Sequence, residues 1–526
     1  MQYRTHPVCR ALFVAVAACT AQVSAHAQQA PVTQPSVVEP TLDITRYSIE
    51  GDNPLSAGAT EAVLKVFTGE KRALSQIEQA ATALEKAIRA EGYVFHRVFV
   101  PVQKPKDGEV TLQIIRFVVD KVTVTGNKHF STENIRRSLP ALVEGAAPDI
   151  HDIGRDLISA NENPSKQVQV TFRESEKPDA VDASLRVKDN NPLTYFVGYT
   201  SNYSLNDKSP KDNIHRFTAG VQHSNLFDRD QVGAATYTTD PNRISKVTLL
   251  GLYYQMPIYG SGLNVSAYYN SSDVNSGQTA GGIDVSGKGE FVGVRVTQAL
   301  SRTGALQQKL GLALDNRYFE NNSTFGGALL RPNVGSRPLS VRYSFRQDEP
   351  WGGFSGSLDY ARNVGGGTSN NVASYTANGG DRSWDAWRYA ADVNYKLSDW
   401  LLSARWRGQT SGNNLIAGEQ FGLGGAGSVR GFADRVVSGD SGYQFNFEAI
   451  GPEVGLPQLR PVFFVDGGQV RTNLGAKDHL LGLGVGLRWS YEKIDVSVDL
   501  AQGIDTNRTE TLKNPVRINF SLFYRF

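Results

Sequence analysis

The chain has no apolar run approaching the roughly 18 residues that a bilayer-spanning helix needs, so any membrane contact has to be made by a closed β-barrel. Cysteine is nearly missing too. Cys9 and Cys19 are the only two, and both lie within the first 27 residues. Those residues read as an export leader: Arg4 and Arg10, the apolar run Ala11 to Ala18, then small residues ending Ala25-His26-Ala27. Cleavage after Ala25 or Ala27 would leave a mature chain with no thiol, which excludes disulfides, metal thiolates and a cysteine nucleophile. Val16-Ala17-Ala18-Cys19 also has lipobox character, which would make Cys19 a lipidated terminus, redundant if the rest of the chain inserts by itself. Charge of one sign is equally lacking. Without Arg4 and Arg10 the chain carries 52 basic and 52 acidic residues, and so neutral a balance argues against nucleic acid as the partner. His129, His151, His215, His223 and His479 are scattered without ligand spacing, and Gly422 to Gly427 is not followed by the Lys-Ser or Lys-Thr of a phosphate cradle. The expectation is a protein with no catalytic constellation, no cofactor and no metal.

What the chain does contain is glycine and aromatics: 52 Gly, 24 Phe, 21 Tyr and 6 Trp, a composition suited to many short strands and turns. After a Pro-rich, polar, flexible lead (28–41), residues 42–116 read as β-α-α-β-β. An alternating segment runs from Leu42 to Ile49 and a turn follows at Gly51-Asp52-Asn53-Pro54. Helices are predicted over Ala59–Phe67 and Ser75–Glu91, the second marked by Ile77, Ala81, Leu84 and Ile88 and stopped by Gly92. Strands Val94–Val102 and Val110–Arg116 close the unit. The same order recurs over 117–189, with a strand Val118–Val124, a helix capped by Ser131, a helix Ile150–Asn161, and strands Val168–Phe172 and Val181–Lys188.

From 190 to 526 no helical period survives, and segments of about ten residues alternate apolar with polar. In Val516–Phe526 every even position is apolar, while Arg517, Asn519, Ser521 and Arg525 share the other face. Ile494, Val496, Val498 and Leu500 alternate with Asp495, Ser497 and Asp499 in the same way, so one face meets lipid and the other water. Trp387, Tyr395, Trp400 and Trp406 are read as strand-end aromatics of an interfacial girdle. Sixteen segments are predicted, starting near Thr194, Arg216, Gln231, Lys246, Gly262, Glu290, Lys309, Leu339, Gly353, Trp387, Trp400, Gly442, Pro461, Leu480, Lys493 and Val516. Sixteen strands enclose a water-filled lumen.

One connection, between the eleventh and twelfth segments, is far longer than a hairpin and is read as an inward loop, 411–437. It holds Val429-Arg430-Gly431-Phe432, and Phe464-Val465-Asp466-Gly467-Gly468 follows two strands later. A guanidinium can give a planar fork to one carboxylate, so Arg430 is the predicted anchor of the loop in the lumen and Asp466 its acceptor. Gly431 would let the loop backbone approach the wall, and Gly467 and Gly468 would leave room beside Asp466.

These two motifs resemble the [VI]-R-G-[YF] and F-x-D-x-G signatures of the outer-membrane assembly and secretion superfamily. The repeated units resemble POTRA domains, helped by Asn163-Pro164-Ser165-Lys166-Gln167-Val168, and Phe217 to Asp230 resembles the second and third strands of the two-partner secretion transporters (TpsB family). The resemblance implies a β-rich fold, two α+β POTRA domains ahead of a 16-stranded antiparallel barrel, set in the bacterial outer membrane with the POTRA domains in the periplasm. It also implies a monomer that secretes an unfolded partner polypeptide, a TpsA-like exoprotein, among outer-membrane lipid. Phe526 would be the signal read by the barrel-assembly machinery. Many members plug the barrel with an N-terminal helix, for which Gln28–Pro40 looks too short and too Pro-rich, so the loop would be the plug. The alternatives are an assembly insertase of the same superfamily, which would normally carry more POTRA units, and a passive porin, which would carry none.

Overall fold

The computed structural model describes residues 40–205, 213–241, 244, 247–273, 277–279, 283–285, 288–300, 304–321, 324–325, 328–329, 331–507 and 516–526. The expected leader, both cysteines, the start near Lys246 and all but the last two residues of the expected lead lie outside them.

The first unit comprises β1 (Thr41–Ile44), β2 (Arg46–Gly51), α1 (Ala57–Leu64), β3 (Gly69–Ala73), α2 (Leu74–Ala90), β4 (His96–Phe99) and β5 (Glu109–Arg116). β5 is the centre of a three-stranded sheet, parallel to β2 and antiparallel to β4. Ser56 caps α1 through its side chain, and Gly92 ends α2 at φ +97°, open to glycine without steric cost. The helical stripe Ile77, Ala81, Leu84, Ile88 is buried with Val110, Leu112 and Ile114 of β5. Each fully buried Leu or Ile there contributes about 2 kcal/mol. Two departures from the expected β-α-α-β-β order occur. The chain is already in strand at Thr41, inside the expected lead, and β1 pairs with an unforeseen β3 beside α2.

β6 (Val118–Thr125), α3 (Thr132–Arg137), α4 (Ile150–Ala160), β7 (Lys166–Glu174) and β8 (Ala180–Asp189) repeat the plan, with β8 central, parallel to β6 and antiparallel to β7. Ser131 caps α3, and Asp149 caps α4 by accepting from the His151 and Asp152 amides. The two units meet through the edge-on rings of Phe95 and Phe172, 4.6 Å apart.

From Leu193 onward the chain forms one closed antiparallel barrel of sixteen strands, and the described residues of its connections add three two-stranded sheets. The first, Leu193–Ser204, pairs with the last, Val516–Arg525, from Phe196↔Arg525 to Ser204↔Arg517. Phe526 and Tyr195 then exchange both backbone hydrogen bonds, 2.9 and 3.0 Å, and stack their rings. Each observed strand begins within three residues of its expected start except the eighth, which begins five residues early, at Val334. The eighth is split into Val334–Ser336 and Pro338–Glu349, because Pro338 has no N–H to give the ladder. Alternation sorts the faces: Leu310, Leu312 and Leu314 point out, exposed, while Gly311, Ala313 and Asp315 point into the lumen. Aromatics gather at the POTRA-side rim, among them Trp351 against Tyr395, Trp489 against Tyr491, and Trp400 near Phe463. Trp387 sits at the opposite rim beside Tyr360. Trp406 is a correction: it lies well inside its strand, Trp400–Thr410, stacked on Tyr443 at 5.2 Å, because its outward parity puts it against that neighbour on the lipid face. The region also holds a helix where none was expected, α5 (Val372–Ala377), capped by Asn371.

The second unit is joined to the barrel by a buried polar node. Lys166 Nζ lies 2.6 Å from Asp230 and 2.9 Å from Asn134, with both ionic side chains out of solvent. Asn163 donates to the Ser224 carbonyl, Asn134 to Asn225 and the Asp228 carbonyl, Ser131 to the Asp228 carboxylate, and Tyr259 to Asp230. Burial pulls the Lys166 ammonium below its ordinary range, opposed by the charge of Asp230. Residues 163–168 and 217–230, singled out separately in the sequence, are thus two halves of one joint.

Candidate functional site

The connection between the eleventh strand (Trp400–Thr410) and the twelfth (Ser441–Ile450) folds as a unit. Phe421–Leu423 and Val437–Gly439 pair as a short hairpin, and Leu423, Val429, Phe432 and Val437 are buried with Val470 and Leu480 of the thirteenth and fourteenth strands, Leu459–Arg471 and Lys477–Tyr491. A loop this long is held in place only if its backbone and charges find partners on the wall.

Arg430 finds several. Its Nε and Nη2 give Asp466 a two-pronged pair of hydrogen bonds, 2.6 and 2.8 Å, and its backbone amide donates to the same carboxylate at 3.2 Å. Nη1 reaches Glu448 at 2.7 Å and Asp499 at 3.3 Å, and the guanidinium carbon lies 3.5 Å from the centre of the Phe464 ring. Arg488 holds Asp499 from the other side at 2.5 Å, and Asn446 bridges Asp466 to the Ser428 carbonyl. The single acceptor expected for Arg430 is therefore one of three. Glu448 and Asp499 were missed, although both fall on the lumen parity of alternating strands, where a lone carboxylate is a signal. Burying such a group is close to neutral in net stability, yet removing one partner from a buried pair costs about 3–5 kcal/mol, so the node fixes position more than it adds stability.

Glycines set how close the loop comes. Asn446, Asp466, Gly482 and Gly503 lie opposite one another across four consecutive strands. A Cβ on Gly482 would sit 2.2 Å from the Arg430 carbonyl oxygen, and one on Gly503 would run into the Phe432 ring. Gly431, at φ +97°, would press a Cβ onto the backbone of Gln502 and Gly503. Gly468 faces Leu423 of the loop. Gly467 does not make room beside Asp466: its parity is outward, and a Cβ there would meet Phe445 and Leu481.

A second tether was not legible in the motifs. Glu419, fully buried, takes two hydrogen bonds from Arg317 Nη1, 2.9 and 3.1 Å, and one from Arg388 Nη2, 2.9 Å. Arg317 belongs to the seventh strand (Leu306–Phe319) and Arg388 to the tenth (Asp385–Leu397), whereas Asp466 and Asp499 belong to the thirteenth and fifteenth. The loop is pinned by its own cation to one part of the wall and by its own anion to another. Just ahead of Glu419, Leu415 and Ile416 pack with Tyr375 of α5, Trp384, Phe319 and Val334, so the α5 connection packs against the loop. The backbones of Asp381 and Asn414 join the two connections at 2.7 Å.

Residues 194–489 match the family model described as haemolysin secretion/activation protein ShlB/FhaC/HecB, and residues 42–116 match the POTRA domain of ShlB type. The chain is 24% identical over 451 residues to the outer membrane transporter CdiB of Dickeya dadantii (strain 3937), covering 80% of this chain and 76% of that protein. Its fold is similar to the solved structures of CdiB from Escherichia coli and from Acinetobacter baumannii. The TM-scores are 0.77 and 0.72, each at 16% identity, over 94% and 93% of this chain and 93% and 90% of theirs.

Proposed function

The chain belongs to the haemolysin secretion/activation family of outer-membrane transporters, with its POTRA domains in the periplasm, and on that premise we propose that it secretes an unfolded partner exoprotein through the barrel lumen. The observation that carries this reading is the loop. A closed sixteen-stranded barrel has room for a lumen, and here that lumen holds a segment fixed through hydrogen bonds and ion pairs, which can be exchanged without unfolding the wall.

The partner would dock in extended form by adding a strand to a POTRA sheet edge, a mode that demands little of its sequence. The edges of the two three-stranded sheets are β2, β4, β6 and β7. β4 is only four residues long, and the start of β6 is covered by backbone bonds between Val119 and the turn at Gly145–Ala146. β7, at nine residues, is the longest edge and leads straight into the joint with the barrel. Transport would use no nucleotide. Arg430 and Asp466 anchor the resting loop, supported by Val429, Phe432 and Phe464, and Phe526 serves biogenesis through the assembly machinery.

Deleting residues 42–116 tests the docking role. The barrel should still assemble, shown by heat-modifiable migration in a gel, while secretion of the partner is lost. Normal secretion by this deletion would remove the first POTRA domain from the mechanism.

A further inference from the structure

The lumen wall opposite the Arg430 node is lined by a cavity of about 310 Å³. Its floor is made of small residues, Gly311, Ala313, Ser340 and Ser344, and its charge is unbalanced. Arg295, Lys309, Arg317, Arg342 and Arg388 reach it, against three carboxylates, Glu162, Asp315 and Asp359. Asp315 and Asp359 belong to the wall, where they pair with Arg317 at 2.7 Å and Arg342 at 2.8 Å. The remaining neutralisation comes from outside the barrel strands. Glu162, from the second POTRA domain, meets Lys309 at 2.6 Å on the periplasmic side. Glu419, from the loop, meets Arg317 and Arg388 on the other side.

We infer that this cavity is a basic lane that binds carboxylate side chains of the polypeptide in transit, and that Glu162, which lines it, and Glu419, which holds its Arg317 and Arg388, are built-in competitors at rest. The inference rests on the export reading above. When the loop moves, Arg317 and Arg388 lose a partner that is fully buried in the closed state, which leaves Arg317 with Asp315 and Arg388 with the neutral Gln409, and guanidiniums so under-compensated in a confined lumen favour any carboxylate that can replace Glu419. Acidic segments of the partner would then exchange with Glu419 one carboxylate for another, which leaves the net charge of the lane unchanged as the chain advances. The small floor residues leave space for an extended backbone. On the Arg430 side of the wall the carboxylates Glu448, Asp466 and Asp499 are already paired with Arg430 and Arg488.

The test uses the purified full-length chain in planar bilayers under a potassium chloride gradient, comparing the unaltered protein with Glu419→Gln and Arg342→Gln, each confirmed as folded by heat-modifiability. Currents should be anion-selective. Glu419→Gln should conduct more and prefer anions more strongly, and Arg342→Gln should shift the reversal potential towards cations. A short poly-glutamate peptide should block the Glu419→Gln current at about tenfold lower concentration than that of the unaltered protein, through electrostatic focusing, and a poly-glutamine peptide of the same length should not block. Chloride selectivity without a difference between the two peptides would show a general anion pore and overturn carboxylate recognition. Cation-selective currents, or a Glu419→Gln protein indistinguishable from the parent, would overturn the lane altogether. None of these results bears on whether the POTRA deletion abolishes secretion, so the two readings fail separately.

Discussion

Arg430 meets three carboxylates, and the effect of each replacement follows from what it leaves behind. Removing the guanidinium strands Asp466, Glu448 and Asp499 together under the loop, with Arg488 and the more distant Arg405 to compensate, whereas removing Asp466 leaves Arg430 with two acids. Arg430→Ala should therefore weaken loop seating by about 3–5 kcal/mol and Asp466→Ala by less, a ranking readable from protease cleavage of the loop in intact cells and from secretion of the partner. Arg430→Lys should rescue poorly, since a single ammonium cannot serve a two-pronged acceptor and a third and fourth oxygen at once. Equal damage from both alanine variants would mean that Glu448 and Asp499 contribute nothing to the anchor. The Arg430–Asp466 contact was legible because two short motifs mark it. Glu419, Glu448 and Asp499 sit in no motif, and pairing them with an arginine requires a strand register that only the closed barrel fixes.

Strands were the most legible elements, because a lipid-facing surface and a wet lumen impose strict alternation on each segment. Helix α5 was not, since six residues give under two turns and no periodicity to read. The pairing of β1 with β3 was hidden for a similar reason: a four-residue strand carries almost no pattern. How near the loop approaches the wall depends on glycines whose importance appears only across strands. Gly482→Ala, which would drive a methyl group into the Arg430 carbonyl, should displace the loop and raise single-channel conductance several-fold while the barrel still assembles. Gly427→Ala, within the same loop but with open space around its Cβ, should leave conductance unchanged. If both behave like the parent, the loop is not held against the fourteenth strand.

At the scale of the whole molecule, the repeated β-α-α-β-β plan and the switch to barrel patterning near residue 190 placed the domains in order along the chain, but said nothing of how they join. The joint depends on Lys166 and Asp230, residues 64 positions apart whose partnership is invisible until β7 is set against the periplasmic turn after Leu226. Through that joint Glu162 reaches Lys309, so the periplasmic domain borders the lumen directly, and a chain docked on it would be delivered to the lumen mouth. The central claim is that the partner passes through this lumen and not along the outside of the barrel. Photo-crosslinking residues placed at Ser344, which lines the lumen, and at Val341, whose side chain faces lipid, should separate the two routes when a partner is stalled by a folded domain fused to its trailing end. The account predicts adducts between the stalled partner and position 344 and none at position 341. Adducts at 341 alone, or none at 344 while secretion proceeds, would contradict it.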